Sequence, residues 1–199
     1  SLRAASTAAG QHPAGTRITS SAPIAVTMSD DSIVGSPYGG TCFDLLGDQL
    51  IPVAIAGTEH IAVKGPGLNG PDKVFILATE DGTTVEVNGL VFATLDAGET
   101  YTHTLLADVA YYSTSAPVLV LHLTGVSCEV AGAVLPPLEC TGSFEVGFVR
   151  STGDEFALTL LVQAGAEGGF AFNGNPIWIP AGAFAPVAGS GGDWLYAQI

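Results

Sequence analysis

The sequence has few basic residues, with 5 Lys and Arg against 19 Asp and Glu, so the formal net charge is −14 and the pI is near 4.2. Proteins that bind nucleic acid neutralise its phosphates with Lys or Arg, and this deficit excludes a nucleic-acid partner. No run of 18 apolar residues is present, so no transmembrane segment is predicted. Because the chain starts at Ser1 without a leader-like segment, we interpret it as an internal or processed piece of a longer polypeptide.

Catalytic signatures are also absent from the sequence. It contains no Gly-x-Ser-x-Gly elbow, no phosphate-binding Gly-rich loop before a helix and no His-Glu-x-x-His zinc motif. The four histidines are scattered, and the last three fall in predicted strands: His12, His60, His103 and His122. We therefore predict surface or structural roles for the histidines, no cofactor of an enzymatic kind, and no enzymatic activity.

The residues that are present indicate an all-β protein. The chain is 47% hydrophobic, enough for a sizeable core, and 26 Gly and 12 Pro separate its short apolar runs. The strongest local signal is a β-hairpin, in which the alternating residues 83–87 lead into Asn88-Gly89 and residues 91–95 return. A second turn is predicted at Ala97-Gly98.

The hairpin signal occurs twice, since Asn173-Gly174 follows Asn88-Gly89 at a distance of 85 residues. Residues 146–148 align with 61–63 in the same way, as strands. We predict two tandem, internally duplicated antiparallel β-sandwich-like modules, at 16–108 and 109–199, after a linker or N-terminal arm at 1–15. The first copy carries about eight extra residues around 29–41, and we predict an inserted loop there that is suited to recognition.

Three cysteines are consistent with an oxidising compartment. The repeat alignment places Cys42 and Cys128 at equivalent positions and leaves Cys140 without a counterpart. A partner gained by one copy most economically bonds within that copy, so Cys128–Cys140 is the predicted disulfide. A Cys42–Cys140 bond between the two copies is the alternative, and either pairing leaves one thiol.

Four acidic residues in or after the predicted inserted loop form a candidate Ca²⁺ site: Asp30, Asp31, Asp44 and Asp48. Carboxylate oxygens on loops are ligands that Ca²⁺ takes, although the D-x-D-x-D-G pattern of a dedicated calcium loop is missing. The other acidic pairs, such as Glu80-Asp81, are interpreted as ordinary turns. With aromatic residues such as Tyr38 or Trp178, the four aspartates suggest a calcium-dependent carbohydrate-binding module as one hypothesis.

Several phrases together resemble the N-terminal domain of the IgGFc-binding protein family, over about residues 16–199. They are ITSSAPIAV at 18–26, CFDLLGDQLIP at 42–52, ILATEDGTTV at 76–85, AVLPPLECTGS at 133–143 and VGFVRS at 146–151. The family is found in a secreted mucus protein of animals and in large bacterial surface proteins. The resemblance, here to the bacterial cell-surface type, implies an extracellular, β-rich, non-enzymatic module used in adhesion or assembly. It transfers no site residue and does not by itself imply immunoglobulin binding.

We therefore predict a secreted or cell-surface structural or adhesive protein. Its expected partners are other protein chains, among them copies of itself, because exposed β edges can pair with strands of a neighbour. Surface glycans are the partners under the alternative, calcium-dependent hypothesis.

Overall fold

The computed structural model describes residues 15–35, 40–65, 67–68, 70–149, 153, 157–175 and 179–199, without the side chains of 30–35, 40–43 and 68. The fold is all-β, as predicted: in the described residues, thirteen strands are joined by turns and by short 3₁₀ segments at Val53–Ile55, Leu138–Cys140, Glu167–Gly169 and Ala181–Ala183. No helix among the described residues is long and apolar enough to cross a membrane.

The strands form three sheets. In the first, β1 (Thr27–Gly35) pairs antiparallel with β2 (Gly40–Gln49). The third holds β11 (Thr159–Gln163), β12 (Ala185–Pro186) and β13 (Trp194–Gln198) in the order β11-β13-β12. The second sheet has eight strands: β3 (Gly57–Val63), β4 (Gly67–Leu68), β5 (Asp72–Ala78), β6 (Thr83–Val87), β7 (Leu90–Leu95), β8 (Thr100–Leu105), β9 (Val109–Ser127) and β10 (Glu129–Leu135).

The long strand β9 organises the eight-stranded sheet. Its first part pairs with β3 and β6, and its second part pairs with β5 and β10. Strand β9 changes its pairing partners on either side of Pro117. Proline has no N–H to donate to a neighbouring strand, so it is tolerated where strand pairing is interrupted. The hydroxyl of Thr79 donates to the Pro117 carbonyl at 2.6 Å, which satisfies that acceptor.

Alternating burial along the strands produces the main core. On β5 and β6 every second residue is buried, so one face is apolar and faces the core. The cluster comprises Ala62, Val74, Ile76, Ala78, Val85, Val87, Leu95, Leu105, Ala110, Tyr112, Val118 and Val120. Burying these side chains is the main favourable contribution to folding.

The opposite face of β3 and β9 forms a second cluster that contacts the third sheet. Ile61, Val63, Val109 and Tyr111 are buried in it, and Trp194 and Tyr196 of β13 pack against it. The amide of Gln198 also donates to the Lys64 carbonyl at 2.6 Å. The third sheet therefore covers the part of the second sheet where β3 meets β9.

The strand pairing among the described residues does not confirm the predicted tandem duplication. Strand β9 starts at Val109, just after the predicted boundary, yet it pairs with strands on the other side of that boundary. Two local predictions were wrong. Residues 29–35 and 40–41 lie in β1 and β2 instead of an inserted loop, and residues 146–148 lie outside any strand. The predicted arm lies outside the described residues except for Gly15.

Candidate protein-binding surface

The hairpin at Asn88-Gly89 forms as predicted and is attached to β9. Both residues have positive φ, 52° and 79°, as a type I′ turn requires. Asn88 N donates to the Tyr111 carbonyl at 2.8 Å, and Asn88 Oδ1 accepts from Tyr111 N at 2.9 Å. This reciprocal pair fixes the position from which β7 begins.

Strand β7 is at the edge of its sheet and exposes apolar side chains. It pairs only with β6 among the described strands, and Leu90, Val91 and Phe92 are exposed. The register jumps at Phe92, because Val85 lies opposite Ala93 while Glu86 lies opposite Val91. Such a bulge redirects a side chain. The Phe92 ring consequently lies 6.2 Å from the ring of Tyr101 on β8.

His103 is held within this aromatic group. Its ring lies 6.2 Å from that of Phe92, and its Nδ1 is 2.7 Å from the hydroxyl of the buried Tyr112. Burial, together with the charge of Lys73, lowers the pKa of His103 below its usual value. His103 therefore stays neutral at physiological pH and joins β8 to β9 as a structural residue.

The apolar segment 144–149 is the most exposed apolar stretch among the described residues. Its sequence is F-E-V-G-F-V, and it forms no strand. Phe144 and Val149 are almost completely exposed, and Val146 retains 79% of its accessible surface. Large apolar side chains clustered on a surface mark protein interaction sites in soluble proteins.

The chain that leads into this segment is fixed to β3. Glu139, in the turn Leu138–Cys140, accepts hydrogen bonds from the backbone N–H and hydroxyl of Thr58, at 3.2 and 3.0 Å. Burial alone would raise the pKa of Glu139, but a hydrogen bond from its own backbone and the two from Thr58 lower it below its usual value. Glu139 therefore remains ionised and holds the turn in place, and the apolar segment starts a few residues later.

The predicted calcium ligands are not brought together as a cage in the described part of the molecule. Asp44 Oδ2 accepts from Val130 N at 2.8 Å, and Asp48 Oδ2 accepts from Val134 N at 2.7 Å. These aspartates join β2 to β10. The side chains of Asp30 and Asp31 lie outside the described residues, which contain no group of three or more His, Cys, Asp and Glu arranged to hold a metal.

The predicted Cys128–Cys140 disulfide is wrong, because Cys140 is an exposed free thiol. The seven residues of strand β10 separate the two cysteines. Because each strand residue rises about 3.3 Å, the length of this strand is much greater than the distance that a disulfide spans. The alternative Cys42–Cys140 bond is excluded by the same free thiol. The side chain of Cys42 lies outside the described residues.

The three described histidines lie in strands, as expected, but only two have partners. His122 Nε2 lies 3.0 Å from Asp72 Oδ2, which also accepts from Gly65 N at 2.8 Å. Burial alone would raise the pKa of Asp72, yet the hydrogen bonds from His122 and Gly65 lower it. His60 is fully buried on β3, and neither ring nitrogen has a hydrogen-bond partner in the described part of the chain.

The sequence analysis missed the exposure of the apolar segment. The alternation of Phe144, Glu145, Val146 and Gly147 in the sequence predicts a strand equivalent to 61–63 but does not indicate that the segment is exposed. Two further candidate aromatic residues, Tyr38 and Trp178, lie outside the described residues.

Comparison with known proteins supplies one match. Residues 4–199, nearly the whole chain, match the family described as IgGFc binding protein. No curated protein matches the sequence, and no solved structure matches the fold.

Proposed function

This chain belongs to the IgGFc-binding protein family, and we propose that it is an extracellular protein-binding module that contacts its partner through the apolar segment 144–149. The observation that carries the proposal is the exposure of Phe144, Val146 and Val149. Burying such side chains against a partner removes apolar surface from water, at roughly 25 cal/mol for each Å². The family description supports a protein as the partner, and domains of this family are typically extracellular.

The pattern of the segment suggests the mode of binding. Large apolar residues alternate with Glu145 and Gly147, which is the period of a β-strand. A Cβ at Gly147 would meet no atom within 4 Å, so a partner backbone has room to approach. We infer that the segment becomes a strand when it pairs with an edge of the partner. Main-chain hydrogen bonds then supply affinity, and alternate side chains supply specificity.

The charge of the chain favours a different protein over a second copy. Two copies with a formal charge of −14 each repel one another, and this repulsion weakens as salt is added. A partner with a basic surface is attracted instead, and salt weakens that attraction. Self-assembly and binding of a basic partner therefore respond to salt in opposite directions.

The test compares two variants of the whole chain. In Phe144→Ser/Val146→Ser the exposed apolar surface of the segment is lost. In the control, Leu106→Ser, another strongly exposed apolar residue, which lies between β8 and β9, is replaced. Binding to an immunoglobulin G Fc fragment, the ligand in the family description, is measured by surface plasmon resonance at low and high salt. Self-association is measured by sedimentation velocity under the same conditions.

We expect the double variant to bind at least about tenfold more weakly than the wild type, while the control stays within about twofold. Dimers that increase with salt and disappear in the double variant would show that a second copy is the partner. Equal binding by the wild type and the double variant would contradict the proposal, as would a monomeric chain that does not bind the Fc fragment.

A calcium-dependent carbohydrate-binding module remains the alternative function, but no observation in the described residues favours it. The carboxylates of Asp44 and Asp48 accept hydrogen bonds from the backbone of β10, and a Ca²⁺ ion would have to compete with these bonds.

A further inference from the structure

Three contacts between β2 and β10 share one register. Asp44 accepts from Val130 N, and Asp48 accepts from Val134 N. Between them, a Cβ at Gly132 would lie only 2.8 Å from Leu46 Cδ1, so Leu46 packs directly against the Gly132 backbone. In each of the three pairs the partners are 86 residues apart in the sequence. The two strands therefore run side by side in the same direction.

Cys42 and Cys128 fit the same register as these three contacts. Cys42 and Cys128 are also 86 residues apart, and each lies two residues before the first contact, that of Asp44 with Val130. Even-numbered residues of β2 make all three contacts with β10, and alternate residues of a strand share a face. Cys42 thus occupies the register position opposite Cys128.

The state of the other thiols agrees with this placement. The chain has three cysteines, and Cys140 is a free thiol among the cysteine side chains that the structure describes. Cys128 is not among the free cysteines; it lies after Ser127 in the tight turn that joins β9 to β10. That turn is fixed by the pairing of Glu129 with Val126, so its position relative to β2 is determined by the fold.

We propose that Cys42 and Cys128 form a disulfide that fastens the β1–β2 hairpin to the turn that precedes β10. The two thiols lose two protons and two electrons as the S–S bond forms. A disulfide-type oxidant, such as glutathione disulfide, accepts the electrons and is reduced to two thiols. The β1–β2 pair forms a sheet of its own, joined to β10 by side-chain contacts, so a covalent link there holds the hairpin in position.

The proposal predicts one accessible thiol for each chain. The whole protein is equilibrated with reduced and oxidised glutathione, alkylated without reduction and digested for mass spectrometry. We expect alkylation at Cys140 and a linked pair of peptides containing Cys42 and Cys128. Linked peptides that contain Cys140, or alkylation of all three cysteines, would overturn the proposal.

A second measurement uses variants and does not depend on the peptide map. Cys140→Ser should keep the wild-type Tm, and Cys42→Ser and Cys128→Ser should each lower it by roughly 5 to 15 °C, to similar values. Adding a reductant should lower the wild-type Tm and leave both of these variants unchanged. A reductant effect that is as large in Cys42→Ser as in the wild type would refute the pairing, and if a variant does not fold, the peptide map alone decides.

Discussion

Two stretches with matching sequence patterns have different structures in this protein. The first, Gly57–Val63 with the turn at Asn88-Gly89, lies inside the eight-stranded sheet, and β3 is largely buried. The second, 142–148 with the turn at Asn173-Gly174, forms no strand over 142–148 and, within the described residues 157–175, a single bridge at the turn, between Phe172 and Asn175. Both turns nevertheless have the same backbone conformation, with φ of 52° and 79° in one and 48° and 78° in the other.

The comparison shows that a local pattern specifies a turn but not its burial. The first stretch has β9 as a neighbour, which supplies hydrogen bonds to β3 and β6 and a buried face for their apolar residues. Among the described residues the second stretch has no such central strand. Its apolar side chains therefore remain exposed at 144–149, where we propose that a partner binds.

The largest expected effect concerns Gly189, which packs against the first turn. Its φ is +84°, and a Cβ there would lie 2.4 Å from Asn88 Cα. Gly189→Ala therefore creates a backbone clash and an unfavourable φ, and we expect it to reduce the free energy of unfolding by about 4 kcal/mol. Urea denaturation measures this value.

Gly174→Ala is the matched substitution in the second turn. Its φ is +78°, but a Cβ would meet no atom within 4 Å. We expect a loss of only about 1 kcal/mol, from the backbone strain alone. Equal losses for the two alanine variants would show that the first turn is no more tightly packed than the second.

The second effect is a dependence of stability on pH, through His60. Burial lowers the pKa of His60 to about 4, from 6.5 in an exposed site. Between these values the unfolded chain binds a proton that the folded chain does not, so stability is lost as the pH falls below 6.5. The loss is about 2 kcal/mol between pH 7.5 and pH 5. Urea denaturation at the two pH values measures it.

His60→Leu should remove this part of the pH dependence and also the two buried nitrogens without partners. The position aligned with His60 in the second stretch is Glu145, which is exposed. Glu145→Gln is therefore the control, and it should keep the wild-type loss at pH 5. A His60→Leu variant that loses as much stability as the wild type would exclude His60 as the cause.

The smallest effect compares the two asparagines. Asn88→Ala removes a residue that tolerates positive φ and leaves the N–H of Tyr111 without its acceptor. Asn173→Ala has only the first consequence, because the exposed side chain of Asn173 makes no comparable hydrogen bond to a described residue. We expect Asn88→Ala to cost about 1 kcal/mol more than Asn173→Ala in thermal or urea unfolding. Equal costs for the two variants would mean that the hydrogen bond to Tyr111 contributes nothing.

Sequence reasoning succeeded where neighbouring residues determine the structure. The all-β class, the alternation of β5 and β6 and the type I′ turn at Asn88 follow from side-chain periodicity and backbone sterics. It failed for the cysteines and for residues 146–148. Neither outcome is local: the state of Cys140 depends on the length of β10, and the exposure of Val146 depends on which strands lie nearby.

The sequence by itself therefore determined the all-β class, the family, the acidic surface and the positions of the tight turns. The tertiary structure decided which strands surround β9, that Asp44 and Asp48 bind the backbone of β10, and that the apolar segment 144–149 stays exposed. The physical reason is the separation along the sequence of the residues that determine each feature. Turn geometry and strand alternation depend on residues a few positions apart, whereas burial and pairing depend on residues that only the folded chain brings together.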